Sequence, residues 1–139
     1  MRVIFVDASG WIAIANKSDE WHFIAVKEYD SLFDEGANFI TTSLAMIEFG
    51  NGLAAVEKRH LALALFERIK KSERIEVINI SEDLDSRGWE MYKNRPDKEW
   101  GVTDCISFVV MQDRGLLEAL TADHHFEQAG LQILLKKEL

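Results

Sequence analysis

A chain of 139 residues, 47% of them hydrophobic, can bury one core of ordinary size and is too short for two, so residues 1–139 are expected to form a single domain. The formal net charge of −8 excludes a protein that coats nucleic acid through a broad basic face. No apolar run approaches the roughly 20 residues that cross a bilayer, and the N-terminal apolar stretch ends at Asp7, too early for a signal-peptide core; a cytoplasmic protein is expected.

Arg2 to Val6 is short, β-branched and closed by Asp7-Ala8-Ser9-Gly10, which predicts a buried strand. Trp11 to Ala15 suits a short helix, and Trp21 to Phe33 a longer one that Gly36 is placed to stop. Phe39-Ile40-Thr41 predicts a second strand, after which Ser43 caps a helix running to Val56. Leu61, Leu65 and Ile69 recur every fourth residue with Ala62 and Phe66 alongside, marking an amphipathic helix from Arg59 to Lys71. Ile75 to Ile78 follows as a strand. Ser81 opens a helix through Leu84, Trp89, Met91 and Tyr92, which Pro96 ends at Asn94 or Arg95. Thr103 caps a helix to Arg114, Gly115 stops it, Leu116 to Thr121 returns as strand, and the last strand is Gln132 to Leu135.

Strands alternating with helices, with no two-residue hairpin turn between strands, indicate a parallel sheet covered on both faces, a three-layer α/β/α domain. There is no internal repeat or low-complexity tract, and Gly50-Asn51-Gly52 lacks both the length and the lysine of a P-loop. Cys105, the only cysteine, excludes an internal disulfide and a thiolate zinc cluster and is read as a small buried apolar residue. The basic clusters around Lys58, Arg68 and Lys93 are read as solvated helix faces rather than phosphate tracks.

Four acids stand where the chain changes element: Asp7 after Val3-Ile4-Phe5-Val6, Glu48 in TTSLAMIEFGNGL, Asp104 in WGVTDCISFVVM and Asp123 in LLEALTADHHF. Three of them fall at a strand end or a helix start, where α/β sheets gather ligands. Each also has a plain reading. Asp7 closes a strand through an Asx turn, and Asp104 and Asp123 favour helix N-termini. A helical wheel from Met46 puts Glu48 almost opposite Phe49, Gly50, Leu53 and Val56, the position of a solvated glutamate. Carboxylates without a cysteine–histidine cluster suit a hard divalent cation such as Mg²⁺.

Taken in order, FVDASGW, SLAMIEFGNGL, DKEWGVTDCISFVVM and LTADHHFEQAG resemble the PIN-domain ribonucleases over nearly the whole chain, and look closest to the short VapC-like toxins of bacterial and archaeal toxin–antitoxin pairs. No single motif is specific; their order, spacing and the chain length together carry the resemblance. It implies a Mg²⁺- or Mn²⁺-dependent endoribonuclease acting on single-stranded or looped RNA, with Asp7, Glu48, Asp104 and Asp123 as its acidic site and Asp7 and Asp104 as the principal metal ligands. Ser9, Thr103 and Thr121 match polar positions that orient water or phosphate, and they also read as turn and helix-cap hydroxyls. Asp97 matches an additional acid upstream of the third motif, or is a loop residue after Pro96.

The resemblance further implies a homodimer and a cognate antitoxin. The Leu61–Ile69 stripe is a possible interface, with core packing as its expected use. His124 and His125 are read as non-ligands, because adjacent helical residues point about 100° apart. Trp11 and Trp89 are expected in the core or an interface, whereas Trp100 is the groove candidate for base stacking. Three other readings remain. A phosphotransferase with Asp7 as nucleophile would want a second acid close by, where Ala8-Ser9 stand instead. A non-catalytic binding module on the same fold is opposed by four intact acids, and a stand-alone housekeeping ribonuclease is compatible with them.

Overall fold

The computed structural model describes residues 1–137. In chain order it contains β1 (Val3–Val6), α1 (Ala8–Ala15), α2 (His22–Asp34), β2 (Asn38–Thr42), α3 (Ser43–Gly52), α4 (Arg59–Lys71), β3 (Ile75–Ile78), α5 (Glu82–Asn94), α6 (Val102–Arg114), β4 (Glu118–Leu120), α7 (His124–Gln128) and β5 (Gln132–Ile133). No described helix is long and apolar enough to cross a membrane.

The five strands form one sheet in the order β3-β2-β1-β4-β5, and every pairing is parallel. Successive side chains of a strand point to opposite faces, so the apolar runs feed two cores. Ile4 and Val6 of β1, Phe39 of β2 and Leu120 of β4 join one core with residues of α1 to α4. Phe5, Ile40 and Ala119 enter the other, against α6 and α7. The result is the expected three-layer α/β/α arrangement.

Several local expectations shift. Helix α3 stops at Gly52 rather than Val56; Gly50 and Gly52 weaken its last turn, and Val56 is 87% exposed. Its cap is Thr42, whose Oγ1 accepts from Ala45 N, while the Ser43 hydroxyl accepts from Ile80 N beyond β3. Gly101, not Thr103, precedes the first turn of α6. Helix α1 starts three residues before Trp11, β4 and β5 are shorter than expected, and α7 is an additional helix of five residues. Gly36 and Gly115 do follow α2 and α6, at φ values of 92° and 65°.

The end of β1 is held by a buried chain of hydrogen bonds. The Thr41 hydroxyl donates to the Val6 carbonyl at 2.7 Å and accepts from the Trp11 indole N–H at 3.0 Å. Trp11 is fully buried and Cys105 likewise, both as expected. Leu65 and Ile69 of the α4 stripe enter the core, whereas Trp89 does not: it is 52% exposed, because α5 turns Gly88 towards Ile106 of α6.

Helix α1 crosses β4 so closely that a Cβ on Gly10 would meet the Leu120 carbonyl oxygen and crowd Val6. Gly10→Ala should therefore destabilise the protein by about 1–3 kcal/mol. Gly50, inside α3 with nothing near its would-be Cβ, offers the control: Gly50→Ala should stabilise by about 0.5–1 kcal/mol. Urea unfolding midpoints of the two variants measure both, and a neutral Gly10→Ala would contradict the close approach.

Candidate active site

From β1 the sheet grows in two directions, through β2 to β3 on one side and through β4 to β5 on the other. Such a reversal of strand order opens a crevice at the carboxyl ends of the diverging strands. Asp7 directly follows β1 and caps α1, its Oδ1 accepting from Gly10 N at 2.9 Å and from the Ser9 hydroxyl at 2.8 Å. Across the crevice, the fully buried Thr121 donates its hydroxyl to Asp7 Oδ2 at 2.9 Å and accepts from Asp123 N at 3.0 Å. Ser9 Oγ and Thr121 Oγ1 also stand 3.1 Å apart, and since each hydroxyl has one hydrogen, an ionised Asp7 takes both.

Asp7, Glu48, Asp104 and Asp123 line one cavity of about 290 Å³, together with Ser9 and Thr103. Asp104 sits in the first turn of α6, where its Oδ2 accepts from Gly101 N at 3.0 Å; Asp123 caps α7, its Oδ1 accepting from His125 N at 2.9 Å. The plain reading of these acids as helix-end residues thus holds alongside their place in the cavity. Glu48 belongs to an exposed residue of α3, yet its carboxylate faces the cavity. The wheel is right that it avoids the core; what it meets instead is the crevice wall.

Crowding shows in the titration of the acids. Burial pushes Asp7 up to about 6 despite its hydrogen bonds, with Asp123 adding repulsion. Burial also raises Asp104, again with a contribution from Asp123, and raises Glu48, with Asp104 as its charged neighbour. The only basic side chains in ion-pair contact with the four acids, among the described residues, are His124 and His125. Four converging carboxylates, no lysine or arginine to neutralise them and an all-oxygen donor set fit a hard divalent cation.

His125, read from the sequence as a non-ligand, is joined to the acids in a way that reading did not give. Its Nδ1 lies 3.1 Å from Asp104 Oδ2 and 3.4 Å from Asp123 Oδ1. In the first turn of α7 the rings of His124 and His125 stand with centroids 4.5 Å apart, and potential ligand atoms of Asp123, His124 and His125 lie within 4.8 Å of one another, closer than the 100° separation suggests. The only sequence signal was position, two residues past a capping aspartate.

Other candidates lie elsewhere. Asp97 takes both oxygens to Arg95 in an exposed pair and does not line the acidic cavity. Trp100 is only 5% exposed, packed edge-on against Phe108 with its indole N–H on Gln128, so its face is not free to stack on a base. It lines a larger cavity of about 470 Å³ between α5 and α6 that contains none of the four acids and whose two arginines, Arg87 and Arg95, are paired with Asp113 and Asp97.

Several known proteins are similar to this chain. Over 130 residues the chain is 28% identical to VapC20 of Mycobacterium tuberculosis, a 23S rRNA-specific endonuclease, with 92% of this chain and 95% of that protein covered. The solved structure of that VapC20, described as a sarcin–ricin loop cleaving toxin, matches with a TM-score of 0.80 at 27% identity over 92% of this chain and 95% of the other. VapBC2 of Rickettsia felis, solved on a DNA fragment from its promoter, matches with a TM-score of 0.69 at 13% identity, covering 94% and 96%. FitAcB of Neisseria gonorrhoeae matches with a TM-score of 0.64 at 18% identity over the same shares; at these identities the likeness is one of fold. A PIN domain model matches residues 4–131, a span that holds all four acids, the hydroxyls that bind Asp7 and the crevice between β1 and β4, and this chain belongs to the PIN domain family.

Proposed function

We propose that residues 1–139 act as one divalent-metal-dependent endoribonuclease domain, the toxin of a toxin–antitoxin pair, working in the cytoplasm on single-stranded or looped RNA. The observation that carries this reading is the set of four carboxylates, unneutralised by lysine or arginine, at the strand-order reversal of the sheet. The VapC20 relative, matched along nearly its whole length and itself an RNA endonuclease, supports RNA over other phosphodiesters.

In this reading Asp7 and Asp104 hold Mg²⁺ or Mn²⁺ directly, and Glu48 and Asp123 hold it directly or through water. When bound, the ion supplies a water acidic enough to lose its proton near neutral pH and a positive charge for the departing oxygen. Ser9 and Thr121 have committed their hydrogens to Asp7, so they orient that carboxylate rather than the phosphate. Thr103, on the cavity wall, keeps a hydroxyl to offer to water or phosphate. An antitoxin would approach the same negative groove with a cationic side chain, and a homodimer is the expected assembly.

Purified protein should cut single-stranded RNA internally in Mg²⁺ or Mn²⁺ and stop in chelator. Asp7→Asn and Asp104→Asn each remove a charged oxygen donor at nearly constant volume and should lower single-turnover cleavage on the order of 100-fold or more. Wild-type rates from Asp104→Asn would refute the site.

A second expectation concerns acidity. The folded value of Asp7, about 6, exceeds the unfolded value near 3.9, so the folded state holds the extra proton between about pH 4 and 6. In chelator this group's contribution is fully present below about pH 4 and is lost as pH rises through 6, an effect of about 3 kcal/mol. Mn²⁺ competes with that proton, so it should raise the melting temperature more at pH 7 than at pH 5. An ion-induced shift independent of pH would contradict Asp7 as a ligand.

The partner is tested by co-expression with the small protein encoded beside this one, which should relieve growth arrest, co-purify and suppress cleavage. The double variant Asp7→Asn/Asp104→Asn should bind it more weakly at low salt. Unchanged affinity at low and moderate salt would remove charge capture from the picture.

A further inference from the structure

We propose that His125 is a positioning residue of the acidic site: with its backbone and its ring it clamps Asp123 to Asp104 and so sets the gap that receives the divalent ion. This rests on the nuclease reading above and adds a residue outside the four acids.

The geometry is specific. The His125 backbone N–H donates to Asp123 Oδ1 at 2.9 Å, and the ring Nδ1 of the same residue reaches Asp104 Oδ2 at 3.1 Å while standing 3.4 Å from Asp123 Oδ1. One residue therefore binds two acids that lie 19 positions apart and come from different helices, α6 and the cap of α7. An ionised carboxylate only accepts hydrogen bonds, so Nδ1 carries the hydrogen when Asp104 is charged.

The contacts also decide which oxygens are left. Asp104 Oδ2 takes both Gly101 N–H and the His125 ring, and Asp123 Oδ1 takes His125 N–H. Among the described residues, Asp104 Oδ1 and Asp123 Oδ2 have no hydrogen-bond partner and remain for an ion. Without a donor between them, the two carboxylates would be driven apart by their own repulsion, which adds to burial in raising Asp104.

The clamp is itself anchored. Phe126, the next residue, is 1% exposed and packs against Phe5 of β1 and Phe108 of α6, with ring centroids 6.2 and 5.0 Å away. The side chain of His125 is 22% exposed, so the ring sits in the wall of the cleft rather than in free solvent. Short though α7 is, its core residue holds the imidazole in reach of Asp104.

Three variants separate positioning from bulk. His125→Asn places an amide N–H where Nδ1–H stands, His125→Gln places one nearer the position of Nε2, and His125→Phe keeps the ring without a donor. Calorimetric titration of each variant with Mn²⁺, without RNA, should show Gln and Phe binding the ion 10- to 100-fold more weakly than wild type, the range seen when outer hydrogen bonds to metal ligands are lost. Asn should stay within about threefold of wild type. Cleavage at saturating Mn²⁺ should recover most of the wild-type rate in all three, because the loss lies in ion affinity. Wild-type Mn²⁺ affinity in Phe would reduce His125 to packing, and an Asn variant as weak as Gln would mean that the ring acts other than as an Nδ1 donor; either result overturns the proposal. Should Phe fail to fold, the comparison of Asn with Gln still decides. Asp104→Asn runs in parallel: if it binds Mn²⁺ and cuts RNA like wild type, the nuclease site itself is wrong, whereas a defective Asp104→Asn beside a normal His125→Phe sinks only the clamp.

Discussion

The carboxylate of Asp7 is half-buried at the place in the sheet where two neighbouring strands lead away in opposite directions. Its two oxygens collect hydrogen bonds from Ser9, Gly10 and Thr121, yet burial still pushes it up to about 6. The balance between these effects is informative. Three donors are enough to fix the direction of the carboxylate but not enough to replace the water it has lost. Asp7 is therefore oriented and energetically unfavourable as an anion at once, a combination that a cation would relieve. The surrounding scaffold fixes this end of β1: Thr41 ties the Val6 carbonyl to Trp11, and Gly10 lets α1 press on Leu120.

The remaining acids reach Asp7 because of how a parallel sheet is wound. Asp123 arrives from the end of β4, the partner of β1 across the crevice, whereas Asp104 and Glu48 come from the first turn of α6 and the middle of α3. Only α6 and β4 follow one another in the chain; β1 and α3 lie far from them and from each other in sequence. The Thr121 hydroxyl, donating to Asp7 while accepting from Asp123 N, is the direct link between the two strand ends. Removing the hydroxyl would loosen the site at its hinge without touching a single carboxylate.

Much of this was legible in the chain because local pattern and fold agree. The strands Val3–Val6 and Ile75–Ile78, the helix Arg59–Lys71 and the Ser81 cap are where apolar spacing and capping chemistry placed them. The misreadings share a cause, which is that a one-dimensional pattern separates apolar from polar but not solvent from crevice. Glu48 looked solvated, and by accessibility it is, but its carboxylate opens onto the cavity that the other three acids line. Thr42 and Ser43 are equally good caps in sequence; Ile80 N, 37 residues from Ser43, decides between them. Trp100 is packed against Phe108 rather than open to a groove, and Trp89 stays out of the core because Gly88 is what α5 turns to α6. His125 was read as a non-ligand, and its link to the site escaped that reading because five residues show too little apolar repeat to mark a helix face and the partner Asp104 is 21 residues away.

The charge of the site orders the events that the nuclease reading requires. Four carboxylates contribute half of the net charge of −8 and lie together, and RNA is itself a polyanion, so the empty groove repels its substrate. Among the described residues no lysine or arginine forms an ion pair with these acids, and Arg95 and Arg87, which line the other cavity, are committed to Asp97 and Asp113. In the nuclease reading, an ion held by these carboxylates would reverse the sign of the potential that the polyanion meets. The same repulsion makes a cationic side chain from another protein a natural competitor. It would satisfy the carboxylates without supplying reactive water, and it would leave the polyanion outside. Inhibition and activation of such a site differ only in which positive charge arrives first.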